Sequence, residues 1–482
     1  MKGKLCLIQA PYFDDYGPMR RAAGTYFPLG LGYIAAAVKA KGYDVLLLDP
    51  NVQDLTPEQM SRRVRQEQPD LVGISFMTPQ FHSARRLCRA IKELAPTTPV
   101  ALGGAHPSVM PSETLREIPE ADFVALGEAE YTTVELLEAL AGRAREFGHI
   151  TGLAWRNQEG VKLNAPRPPI EDLDALPFPD RSLVDQSLYR AQSFLSYSPR
   201  TATIHTARGC PGRCVFCCSG YKLRSHVRER SIGNVMAEID QLRERYDVRY
   251  LLIKDDTFTL RKPRVEAFCR ALRERHPDLK WHCMGRANSV DERILATMRD
   301  AGLHDMFFGI ESGNDDILKI AKKGVTTLRA REAVEACARL GIRTYGAFII
   351  GLPGETPQTA EQTIEFACSL PLTMAGFSIL IPYPGTRVFD EHYRRDGNGT
   401  VEYSEFIAST GVHVVEGYTG LAGLSLHELP GLVARAQRRF YLRPVQLWRM
   451  LQHANPSMVW GYGRGFVGLM AKERYLRSRR RR

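Results

Sequence analysis

Three cysteines within eight residues constrain this chain more than any other feature. They stand in Arg208-Gly-Cys210-Pro-Gly-Arg-Cys214-Val-Phe-Cys217, a Gly/Pro-punctuated loop that follows the strand-like run Thr201 to Thr206. Three thiolates from one short loop can ligate three irons of a four-iron, four-sulfur cluster and leave the fourth iron open to a substrate or cofactor. A structural zinc site asks for four ligands, usually with a second CxxC or CxxH pair. Cys218 and His226 are the nearest extra candidates, and neither makes such a pair. A disulfide is disfavoured, because three cysteines this close cannot reach good geometry. Spacing and context together favour the open cluster.

At 482 residues the chain is expected to hold two or three domains. Residues 1–145 alternate strand-like runs (Leu5 to Gln9, Asp44 to Asp49, Asp70 to Phe76, Pro99 to Gly103, Phe123 to Gly127) with helical ones. That alternation implies an α/β unit with a doubly wound, Rossmann-like parallel sheet, whose ligands bind beyond the strand carboxyl ends. Ser75, Thr78, Gly103-Gly104 and Gly127-Glu128 fall there, although Gly103-Gly104 taken alone reads as a tight turn. No GxGxxG follows the first strand, which argues against a dinucleotide. Residues 146–200 carry Pro166, Pro168, Pro169, Pro177 and Pro179 and read as an extended linker.

Residues 201–395 contain six strand–helix units, which predicts a (βα)6 partial TIM barrel with its active residues at the strand carboxyl ends. Asp255 and Asp256 end the second strand, Arg286 the third, Glu311-Ser312-Gly313 the fourth and Gly351 the fifth, with Ile379 on the sixth. The two aspartates could equally cap a turn. Cys269, Cys283, Cys337 and Cys368 form no CxxC and read as buried apolar cysteines, and Cys218 is taken as structural.

The formal charge of +11 is concentrated at one end. Arg435 to Arg482 holds thirteen Lys/Arg and one acid, a net +12, so the remainder carries −1. A general nucleic-acid coat is a poor reading of that distribution. Residues 396–482 read as a helical C-terminal region in which Trp448, Met450, Trp460, Tyr462, Phe466 and Met470 interleave with arginines. Such a stretch suits an anionic membrane surface, a phosphorylated or nucleic-acid partner, or a solvated cover over the barrel. No run is long and apolar enough to span a bilayer, the start of the chain does not read as a secretory leader, and the scattered cysteines suit a reducing cytoplasm.

CxxxCxxC with Phe216 before its last cysteine resembles the signature of radical S-adenosylmethionine (SAM) enzymes. The resemblance implies a [4Fe-4S] cluster on Cys210, Cys214 and Cys217 that binds SAM at its open iron and splits it to a 5′-deoxyadenosyl radical. It implies SAM contacts for Asp255 or Asp256 (amino group), for Arg286, Glu311 and Ser312 (carboxylate and ribose), and for Gly351 and Ile379 beside the adenine. The N-terminal region resembles the cobalamin-binding domain found ahead of many radical SAM domains, through Pro28-Leu-Gly-Leu-Gly-Tyr, Gly103-Gly-Ala-His-Pro and Leu126-Gly-Glu-Ala-Glu. Ser75, Gly103 and Gly104 would then lie near the buried nucleotide tail. The Asp-x-His-x-x-Gly phrase of mutases is missing: the loop from Pro11 to Gly30 has Asp14, Asp15 and Gly17 but no histidine.

The reading that follows is a cobalamin-dependent radical SAM methyltransferase acting at an unactivated carbon. The C-terminal Phe-Tyr-Leu-Arg-Pro phrase is similar to endings of members acting on lipids and tetrapyrroles, so the substrate is expected to be a small, apolar metabolite. A flavodoxin or ferredoxin is the expected reductant, and the expected location is cytoplasmic, with peripheral contact at the inner membrane surface. Two alternatives stay open: a ring-forming enzyme with the same cofactors and no net methyl transfer, and a non-catalytic cobalamin- or nucleic-acid-binding module with a structural metal. A tRNA methylthiotransferase is disfavoured, because only Cys6 and Cys88 precede the cluster loop.

Overall fold

The computed structural model describes residues 2–12, 24–142, 146–191, 198–219, 226–393, 401, 403, 406 and 414–452. The expected features at Asp14 to Gly17 and from Trp460 to the C-terminus lie outside the described residues.

Seven strands build the first sheet: β1 (Lys4–Gln9), β2 (Asp44–Leu48), β3 (Leu71–Ser75), β4 (Val100–Gly103), β5 (Phe123–Ala125), β6 (Leu153–Asn157) and β7 (Gly160–Leu163). Their order is β2-β1-β3-β4-β5-β6-β7, with the first five parallel and the last two antiparallel. Parallel strands covered on both faces read as apolar runs rather than as alternation, which is why Leu-Cys-Leu-Ile and Asp-Val-Leu-Leu-Leu are strands here. Cys6, Ile8, Val72 and Ile74 pack with helices Pro57–Glu67 and Phe81–Leu94 on one face. Leu5, Leu7, Val45 and Leu47 pack with helices Leu29–Ala40 and Glu130–Ala141 on the other. Strand order reverses between β1 and β3, so the ligand crevice opens there, beyond their carboxyl ends.

The sheet extends further than the sequence suggested. Residues 153–163, read as part of the linker, form the β6–β7 hairpin and pair with β5. The prolines begin only at Pro166, and Gly160, at φ +118°, makes the turn.

The second sheet begins with β8 (Thr201–Ile204). A short hairpin follows, β9 (Ala207–Arg208) with β10 (Arg228–Glu229), then β11 (Tyr250–Ile253), β12 (Lys280–Gly285), β13 (Leu303–Glu311), β14 (Arg343–Ile350) and β15 (Met374–Ile379). Six of these strands are parallel in the order β8-β11-β12-β13-β14-β15, the (βα)6 partial barrel. Such a barrel leaves two open edges, and unpaired edges invite association. Here both are used. Arg181 donates to the Thr203 carbonyl at 2.6 Å on β8. On β15 the Tyr441 hydroxyl donates to the Ala375 carbonyl at 2.7 Å and accepts from its N–H at 3.2 Å.

Tyr441 belongs to helix Leu429–Tyr441, whose Leu429, Val433, Ala436 and Phe440 join the barrel core. Arg435 and Arg439 of that helix pair with Glu361, so part of the C-terminal charge serves to dock it on the barrel. Beyond β15 the chain returns to the first sheet, where Ile381, Phe389, Tyr403 and Phe406 pack with Phe76 and Phe81. Among the described residues no helix is long and apolar enough to cross a membrane.

Candidate functional site

The cluster loop leaves β9 and returns as β10, so both legs are fixed by one antiparallel pair, with Arg208 opposite Arg228. Its middle is pinned to two barrel loops. Val215 N–H donates to the Ala321 carbonyl at 3.1 Å, and Val388 N–H donates to the Val215 carbonyl at 3.0 Å. Cys214 is buried, and Cys210 and Cys217 are half-buried. Cys210 Sγ accepts from Gly212 N–H at 3.4 Å and lies 3.8 Å from Thr257 Oγ1.

Gly212 shows why the loop is small here. An added Cβ would stand 2.9 Å from Arg286 Nη1, 3.2 Å from Cys210 Sγ and 3.9 Å from Cys214 Sγ. Two of the three thiols and a guanidinium therefore surround one glycine. Soft thiol donors on a loop held from three sides fit an iron–sulfur cluster. No group of three or more His, Cys, Asp or Glu among the described residues is arranged around a single ion. Thiols that each bind a different iron need not converge on one point.

The other sequence-predicted residues sort into three groups. Asp256 is exposed at the end of β11, with Ser219 Oγ donating to it at 3.3 Å. Arg286 lies between Gly212 and Gly324 and donates to the Lys323 carbonyl. Phe216 packs with the Ile317–Leu352–Val388 cluster, and Lys323 Nζ stands 6.0 Å from its ring centre. Asp256 and Arg286 lie beside the loop, and Phe216 packs its end into the barrel.

Glu311 and Gly351 are present at their strand ends but already engaged. Glu311, at φ +73° on a register shift of β13, holds Lys323 at 2.7 Å in a buried pair. Gly351, at φ +96°, donates its N–H to Glu355 and accepts the Tyr418 hydroxyl at 3.0 Å.

Three expectations are corrected. Asp255 does not face the cleft. Its carboxylate accepts Thr206 N–H at 2.7 Å, Ala207 N–H at 3.1 Å and the Thr206 hydroxyl. Burial pushes that carboxyl up to about 6 against those hydrogen bonds, which favour the charged form. Asp255 therefore ties the start of the cluster loop to β11. Ser312 is fully buried and bonds Thr363 Oγ1 at 3.1 Å, behind the strand end. Ile379 lies in the core between sheet and helices, and the residue on the barrel's inner side is Ser378. In each case strand alternation decided the side, and a one-residue difference in facing is not visible from the strand-end position alone.

Ser75, Gly103 and Gly104 come together in a cavity of about 210 Å³ beyond β3, β4 and β5. Gly104 must be glycine: at φ +98°, an added Cβ would stand 2.5 Å from the Phe76 carbonyl oxygen. At Gly30 and Gly127, which also line the cavity, an added Cβ would meet no atom within 4 Å. Side chains there would project into free space, so the glycines keep room for a ligand. A cradle of small residues with polar side chains at its rim fits the nucleotide end of a corrinoid.

The barrel contributes His205 and Arg208 to the same cavity wall. Arg208 donates to Glu130 at 2.7 Å and stands 3.6 Å from Glu128, while Arg228 grips Glu128 at 2.7 and 2.8 Å. Burial acts to raise the Glu128 carboxyl, and the Arg228 and Arg208 guanidiniums hold it down at about 2. Sequence reasoning placed Glu128 at the ligand end of the sheet but did not assign Glu130, Arg208, Arg228 or Lys323 to the site. The signal was modest: two acids after a glycine-ended strand, and an arginine just before the first cysteine.

The sequence matches two families, the B12 binding domain over residues 18–137 and the radical SAM superfamily over residues 204–367. It is 32% identical over 442 residues to an uncharacterized methyltransferase of Pyrococcus horikoshii, covering 92% of this chain and 93% of that one. It is 31% identical over 375 residues to an anaerobic magnesium-protoporphyrin IX monomethyl ester cyclase of Rubrivivax gelatinosus, covering 77% and 67%. The fold is similar to that of the radical S-adenosylmethionine methyltransferase TsrM from Kitasatospora setae, solved with cobalamin and a [4Fe-4S] cluster. That likeness has a TM-score of 0.71 at 20% identity and covers 99% of this chain and 100% of that one.

Proposed function

The chain belongs to the radical SAM family whose members carry a B12 binding domain, and from that premise we propose that it methylates an unactivated carbon of a small-molecule metabolite. Its cofactors are a [4Fe-4S] cluster, SAM and cobalamin. When bound, the cluster with SAM supplies hydrogen abstraction, and cobalamin supplies the methyl group.

The residues have separate tasks. Cys210, Cys214 and Cys217 hold the irons. Asp256 and Arg286 receive the SAM amino and carboxylate groups; a guanidinium fork suits a carboxylate. Phe216 and the Gly351 turn pack the nucleoside side, and Lys323 is held in place by Glu311. Ser75, Gly103 and Gly104 make room for the cobalamin tail. The inner side of the barrel takes the substrate and screens it from water, which a radical reaction requires.

The observation that carries this reading is the ion-pair cluster of Glu128 and Glu130 with Arg208 and Arg228. Glu128, Glu130 and Arg208 wall the corrinoid cavity, and Arg208 and Arg228, on the two legs of the cluster loop, pair with those acids, so the two cofactor sites would share one junction. Anaerobic reconstitution with iron, sulfide and cobalamin tests it. The expected results are a bound corrinoid spectrum and conversion of SAM to 5′-deoxyadenosine and S-adenosylhomocysteine. A protein that binds no corrinoid and leaves SAM intact would refute the proposal.

The cyclase relative favours ring formation as a second reading. A product heavier by one CH2 supports methylation, and deoxyadenosine without that gain supports ring formation. A flavodoxin or ferredoxin would deliver the electron in a reducing cytoplasm. Any peripheral membrane contact would fall to residues after 441, where Leu447 and Trp448 are exposed, since the helix at Leu429–Tyr441 is docked on the barrel.

A further inference from the structure

Some inward side chains of the six-stranded sheet are not closed off from solvent. Phe307 and Tyr345 keep residual exposure on their inward faces, whereas their neighbours Phe308 and Phe348 are buried against the helices. Their rings stack, 5.1 Å apart and inclined by 13°, and so form a flat apolar floor.

On β11 the outward residues Leu251 and Ile253 enter the barrel–helix core, while Tyr250 and Leu252 pack inward beside Tyr26. Lys254 is the next inward position. Its ammonium lies 4.1 Å from the centre of the Tyr26 ring, and among the described residues it pairs with no carboxylate. The neighbouring Asp255 is turned away to Thr206 and Ala207. Other cations of the bore are provided for: Lys323 by Glu311 at 2.7 Å, Arg343 by Asp305 at 3.3 Å, and Arg286 by a carbonyl. Burial pushes Lys254 down to about 8, and the nearby His282 is pushed down to about 4 and stays neutral. A half-buried ammonium with no carboxylate beside it is less favourable than a paired one, and an arriving anion relieves it.

We propose that Lys254 anchors an anionic group of the substrate, a carboxylate or a phosphate, whose flat apolar body rests on the Phe307–Tyr345 pair. This deepens the methyltransferase reading and rests on it, because it takes the bore as the reaction chamber.

The test uses protein loaded with cobalamin and cluster, titrated with 2-naphthoate, 2-naphthyl phosphate and the uncharged 2-naphthamide, with probe fluorescence as readout. Saturable binding of at least one anion, tenfold or more tighter than the amide, is expected. Lys254→Met should abolish that preference and Lys254→Arg should keep it. Comparing the two anions shows whether the anchor takes carboxylates or phosphates. Equal binding of anion and amide, no binding of any probe, or an unchanged preference in Lys254→Met each overturns the proposal. SAM cleavage measured on the same preparations separates the two readings: if it persists while the preference is absent, Lys254 alone is misassigned.

Discussion

Arg208, two residues before the first cluster cysteine, donates to Glu130, at the start of helix Glu130–Ala141 of the N-terminal unit, at 2.7 Å. Both side chains are buried, and both line the cavity beyond β3 to β5. Removing one partner of a buried pair strands the other charge and costs about 3–5 kcal/mol. Arg208→Met is therefore expected to lower the chemical denaturation midpoint. It should also lower both iron content after reconstitution and affinity for cobalamin. Arg208→Lys should recover part of each, since it restores the charge but not the fork.

Cys214→Ala should leave the fold intact, because the loop is also held through Val215 and through Asp255. Iron content should fall and SAM cleavage should cease. Far-UV circular dichroism, iron analysis and the appearance of 5′-deoxyadenosine read these separately.

The paired aspartates should behave differently. Asp255→Ala leaves two buried N–H groups without an acceptor, at about 1–3 kcal/mol each. It is expected to destabilise the chain and to impair cluster loading. Asp256 is exposed, and Asp256→Ala should change stability by less than about 0.5 kcal/mol while raising the KM for SAM. Thermal denaturation and initial-rate kinetics distinguish the two.

Two glycines of the cavity make a second contrast. Gly104→Ala places a Cβ 2.5 Å from the Phe76 carbonyl at φ +98° and should destabilise by more than about 1 kcal/mol. Gly30→Leu meets nothing within 4 Å, so stability should hold. The new side chain would occupy the cradle, and cobalamin affinity, followed by the visible spectrum, should fall at least tenfold.

Glu355 supplies a pH signature. Burial pushes its carboxyl up to about 7, above its ordinary value of 4.5. A raised carboxyl means that the folded state holds its proton longer than the unfolded state. Its contribution is fully present below pH 4.5 and is lost as pH rises to about 7, by an amount on the order of 3 kcal/mol. Glu355→Gln should flatten that part of the stability curve. A wild-type minus variant difference that does not change with pH would rule the assignment out.

Much of this protein was determined by the sequence alone. CxxxCxxC with its glycines and proline set the chemistry, because ligand type and spacing along a loop are local properties. Apolar runs between helical stretches set the parallel strands of both sheets, since parallel strands need both faces covered. Helix Phe81–Leu94 and helix Ile232–Tyr246 each bury an apolar face whose periodicity is local to the sequence.

What only the tertiary structure decided is which side each strand-end residue faces and which distant charges meet. Asp255 and Asp256 are neighbours in sequence, yet one ties down the loop and the other faces outward. Residues 153–163 became a hairpin because the β5 edge was there to receive them. Arg208 and Glu130 are 78 positions apart, and their pairing follows from the docking of one sheet on another, which no local pattern encodes. The junction of the two cofactor sites is the product of that docking, since burying charges from both units is favourable only when they meet as pairs.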